Sequence, residues 1–109
     1  MIPRELYFQE ELVAFLSDSQ IEWPRSDSIY RTNKELKSEL ADYIQSSVKC
    51  SALIDKLDQE TRDYIEAEER TFTHLIDSDE WYILDEDGKK HPILVPIFHP
   101  ENIVVWMPK

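Results

Sequence analysis

The chain has 109 residues, 41% hydrophobic and 11% aromatic, with 23 acidic against 12 basic side chains and a formal charge of −11. That length holds a single domain, residues 1–109, with one modest core, and excludes a multi-domain enzyme. The aromatic content excludes a disordered tail, and the charge disfavours a nucleic-acid backbone or an anionic membrane surface as direct partner, pointing to a basic protein instead.

The start, Met1-Ile2-Pro3-Arg4-Glu5, is charged at once and lacks the apolar core of a secretory signal. No apolar run reaches the ~18 residues of a membrane span, and Cys50 is the only cysteine, so a cytoplasmic protein without an internal disulfide is expected. Pro3 suits a first helical turn, and Phe8, Leu12, Phe15 and Leu16 follow at i, i+4, i+7 and i+8. This spacing predicts a helix over about residues 4–17. Trp23-Pro24 then forces residue 23 out of the helical region, and Ile21–Arg31 reads as a loop with a short extended piece.

Thr32-Asn33-Lys34-Glu35 has the T-x-x-E form of a capping box, and Leu36, Leu40, Tyr43, Ile44 and Val48 follow as an apolar face. A helix is expected over about 33–49 and another over about 51–70, with polar Asp58–Asp63 as a possible break. From Thr71 the period changes to that of strands. Strands are expected at about 71–76, 80–84, 89–98 and 102–107, with Asp85-Glu86-Asp87-Gly88 as a tight turn. Helices first and strands after predict an α+β fold: N-terminal helices packed on a C-terminal antiparallel meander of three to four strands.

The chemistry-bearing residues are few. One glycine, Gly88, cannot build a phosphate-cradling loop. Cys50, His74, His91 and His99 lack helical metal-ligand spacing, and Cys50 reads as a small buried residue rather than a nucleophile. Placing Gly88 at position six of a calcium loop puts Ile83 and Leu94 where carboxylates are needed, so that match fails. No enzyme, metal site or cofactor is expected.

What remains is located charge. Residues 1–54 hold nine acids against six bases, residues 55–88 thirteen against three, and residues 89–109 one against three. The acid-rich stretch contains the expected partner-binding residues: Glu66, Glu69, Asp77, Asp79, Glu80, Trp81, Tyr82, Asp85, Glu86 and Asp87. Carboxylates steer a basic protein into encounter, and an aromatic anchor slows its release. The expected function is a small acidic inhibitor, immunity- or antitoxin-like, that occludes the cationic site of a basic toxin or nucleic-acid enzyme. The alternative is an adaptor module or homodimer joined through an edge strand at Ile93–Phe98.

Overall fold

The computed structural model describes every residue except Trp23, so the expected break there lies outside the described residues. Among the described residues, seven strands form one antiparallel sheet: β1 (Pro3–Phe8), β2 (Glu11–Ile21), β3 (Ser26–Thr32), β4 (Trp81–Asp85), β5 (Lys90–Pro92), β6 (Ile97–His99) and β7 (Ile103–Trp106), in the order β5-β4-β1-β2-β3-β7-β6. Between β3 and β4 the chain leaves the sheet as α1 (Ser38–Leu53), α2 (Gln59–Thr71) and the single turn α3 (Thr73–Ile76). The α+β class stands, but N-terminal helices on a small C-terminal meander do not. The helices are a central insertion in a sheet that uses both ends of the chain.

The helix expected over 4–17 is the β1–β2 hairpin. Gln9, at φ 56, turns the chain, and the register jumps from Leu6↔Ala14 to Tyr7↔Leu12, leaving Val13 as an extra residue in β2. This bulge sends Val13 and Ala14 inward together, with Leu16 two positions on, so the strand loses the alternation that identifies it. A second shift beside Asp18 (φ 47) bends β2 again. β3 occupies much of the expected loop at 21–31. Its inward positions include Ser26 and Ser28, whose burial no hydrophobic pattern announces; the Ser28 hydroxyl accepts from Trp106 Nε1 at 3.3 Å and bonds Ser19 at 2.7 Å.

The first helix begins at Ser38 rather than 33 because Thr32 ends β3 and Asn33 ties the next turn to the sheet. Asn33 Nδ2 donates to Leu12 O at 2.9 Å, while its Oδ1 accepts from Glu35 N at 3.2 Å. The capping box is therefore not formed. The Lys37 N–H instead donates to the carboxylate of Glu11, at 2.8 Å, from β2. The stretch 51–70 is two helices, with Asp58 accepting from Thr61 N at 2.7 Å as the N-cap of α2. The strand expected at 71–76 is helical: Phe72, Leu75 and Ile76 fall at i, i+3 and i+4. Thr71 and Thr73, β-formers by propensity, bond back to the carbonyls of Ala67 and Glu69.

The strand expected at 80–84 matches β4 closely, and that at 102–107 matches β7. The expected 89–98 strand splits into β5 and β6 around Ile93–Pro96. Here the ends of the sheet meet: Ile93 N donates to Trp81 O of β4, while Leu94 N donates to Met107 O and Lys109 N to Pro92 O. On the outer side of β6, Tyr43 Oη donates to Pro96 O at 3.0 Å, and the Ser47 hydroxyl accepts from Phe98 N (2.8 Å) and donates to Phe98 O (3.2 Å). At the edge expected to join a second copy, α1 therefore already occupies Pro96 O and the Phe98 backbone groups. Between sheet and α1 lies the core, centred on Leu6, Val13, Tyr43, Trp81, Ile83 and Phe98.

Candidate partner-binding surfaces

β4 carries two aromatics in opposite roles because alternation sends them to opposite faces. Trp81 is 1% exposed; its ring lies 4.8 Å from Phe8 and 6.0 Å from Tyr43, and its Nε1–H donates to Leu75 O at 2.9 Å. Its indole is buried in the core rather than presented as the exposed anchor expected of it, although Trp81 borders the cleft described below. Tyr82 is half-buried on the other face, stacked on Tyr7 at 5.2 Å with the rings 3° from parallel and the Lys90 ammonium 4.6 Å from its centroid.

Asp85 also belongs to the scaffold. Its carboxylate accepts from Asp87 N (2.8 Å), Lys89 N (3.0 Å) and His91 Nε2 (2.7 Å), holding the β4–β5 turn that Gly88 completes at φ 77. The His91 hydrogen bond, followed by the backbone donors, holds its pKa down at about 2. Glu86 and Asp87, at the tip of this turn, are exposed.

The remaining acids stay in water. Of the thirteen carboxylates between residues 55 and 88, eleven are exposed, Glu68 is half-buried and Asp85 is buried. They do not share one face. Asp77, Asp79 and Glu80 precede β4, Glu86 and Asp87 follow it roughly 17 Å away, and Glu66 and Glu69 lie on α2.

Asp79, Glu80 and Tyr82 line a broad cleft of about 910 Å³ together with Glu10, Glu11, Glu35, Lys37 and Lys90. Glu11 pairs with Lys37 at 3.4 Å, Asp79 with Lys109 at 3.6 Å, and Glu80 accepts from Gln9 Nε2 at 2.7 Å. Sequence reasoning missed Glu10, Glu11 and Glu35, which come from the nearly neutral first half and reach the cleft only through the β1–β2 turn and the β3–α1 connection.

A second, apolar cavity of about 350 Å³ lies between α1, α2 and β6, lined by Tyr43, Cys50, Ile54, Ile65, Phe72 and Ile97 among others. Ser51, bonded to His99 Nδ1, and half-buried Glu68 border it. Burial, aided by Arg25, lowers the His99 pKa, and burial raises that of the Cys50 thiol, so each is pushed toward its uncharged form. The other two histidines have separate partners, His74 with Glu39 and His91 with Asp85. Among the described residues, no three His, Cys, Asp or Glu side chains are placed to hold a metal ion, and no helix is long and apolar enough to cross a membrane.

Comparison with protein-family models, with curated proteins and with solved structures finds no match to this chain.

Proposed function

We propose that the chain is a small acidic inhibitor, of the immunity or antitoxin kind, that binds a basic protein in the cytoplasm and occludes its cationic site. The observation that carries this reading is the exposure of eleven of the thirteen carboxylates in residues 55–88. Carboxylates left in water keep their charge and can pair with lysines and arginines that would otherwise hold phosphates. The cleft of Glu10, Glu35, Asp79 and Glu80 beside the Tyr7–Tyr82 stack is the preferred contact, since an arginine can bond carboxylates there and lie against an aromatic ring. Glu66, Glu69, Asp77, Glu86 and Asp87 add to the field that steers encounter.

The test is capture of the partner from an extract of the source cells, followed by affinity measurement from low to near-molar salt and assay of the partner's activity. Affinity should fall steeply with salt, and Glu10→Lys with Glu35→Lys should relieve inhibition. Affinity indifferent to salt would overturn the reading.

A further inference from the structure

α2 is a thirteen-residue helix that buries none of its side chains. Its attachment to α1 includes the Lys49 ammonium 5.0 Å from the centre of the Tyr64 ring. An amphipathic helix in a small domain ordinarily sinks its apolar stripe into the core. Here Ile65 instead faces the apolar cavity shared with α1 and β6, whose lining includes exposed Ile54 (61%) and Ile97 (40%), while Leu57, 78% exposed, lies just beyond it. A neighbouring hollow of about 330 Å³, also lined by Ile54 and Ile65, continues it past Leu57. Along α1 the lining runs from Tyr43 to Ile54, roughly 16 Å of helix, enough for about three turns of another helix laid alongside.

Charge selects the occupant. Glu66, Glu68 and Glu69 stand on the rim, Lys56 and Arg62 close the far end, and residues 55–76 together hold seven acids against three bases. A second copy docked symmetrically would bring these acids against themselves. An anionic bilayer would meet the same repulsion.

We infer that the groove between α1, α2 and β6 receives an amphipathic helical segment of a basic partner protein, its apolar residues seated against Ile54, Leu57, Ile65 and Ile97 and its lysines or arginines against Glu66, Glu68 and Glu69. This rests on the basic partner proposed above and adds a second contact, away from the acidic cleft.

The probe is a synthetic leucine–lysine amphipathic peptide of roughly three to four turns, with a leucine–glutamate peptide of equal length as its counterpart. NMR shifts on titrating the leucine–lysine peptide should be confined to residues lining the groove, and the leucine–glutamate peptide should leave them unmoved. Ile54→Glu with Leu57→Glu should weaken binding at least tenfold; both side chains are exposed, so the fold survives, as an unchanged circular dichroism spectrum would verify. Glu68→Lys with Glu69→Lys should weaken it several-fold. Equal binding of both peptides, shifts mapping to the acidic cleft instead, or a concentration-dependent dimer abolished by Ile54→Glu would each overturn the inference. The two proposals fail distinguishably: peptide shifts at the cleft sink only the groove, whereas salt-indifferent capture removes the basic partner on which both rest.

Discussion

The sheet and α2 place their apolar residues in opposite ways. In the sheet, Val13, Ile83, Phe98 and Val104 are completely buried and Leu6 and Trp81 only 1% exposed, whereas α2 contributes no buried residue at all. The chain exposes 7047 Å², against the ~6,300 Å² expected of a 13.0 kDa domain. Stability therefore resides in the sheet with α1 laid on it, while α2 adds little buried surface to it. Elements with little buried apolar surface open at lower free energy than the core, and binding elements are commonly drawn from them.

The sharpest way to break this contrast is Trp81→Ala, which should cost about 3–5 kcal/mol by emptying the centre of the core and removing the indole hydrogen bond to Leu75 O. Urea unfolding measures it, and a loss below 1 kcal/mol would show the core to be elsewhere. Asp85→Asn should come next, with a pH signature. The native carboxyl titrates at about 2 against 3.8 for the free group, so its contribution is present above pH 4 and lost as pH falls from 4 to 2. The difference in stability between wild type and variant should shrink through that window. A difference independent of pH would remove Asp85 as the acid-sensitive clasp of the turn.

Ser47→Ala, which unpairs the outer edge of β6, should cost about 1–2 kcal/mol. Hydrogen exchange should then show α2 amides opening well before those of β2, and Leu57→Ala should leave the unfolding free energy unchanged to within about 0.5 kcal/mol. Protection of α2 equal to that of the sheet would dissolve the division on which the groove depends.

What could be read directly follows from local patterns. Trp81-Tyr82-Ile83-Leu84 before Asp85–Gly88 alternates and then turns, and β4 and its turn stand as expected. α1 announces itself because Leu40, Tyr43, Ile44 and Val48 repeat at helical spacing. β1 and β2 stayed hidden because the Val13 bulge imitates a helical stripe, and β3 because its buried Ser28 is paired by Ser19 and Trp106, residues far away in the sequence or across the strand pair. The same limit applied to the sites. The acidity of residues 55–88 was legible by counting, but the cleft draws Glu10, Glu11 and Glu35 from elsewhere, and Trp81 and Asp85 proved to be scaffold.

By itself the sequence determined that this is one acidic α+β chain whose excess charge sits in residues 55–88, because composition and charge do not depend on which residues become neighbours. Tertiary structure alone decided which acids meet in a cleft, which aromatic is buried, and that α2 leaves Tyr64 and Ile65 only half-buried. Those outcomes depend on strand pairing, and a single-residue shift in register changes which side chains face the core.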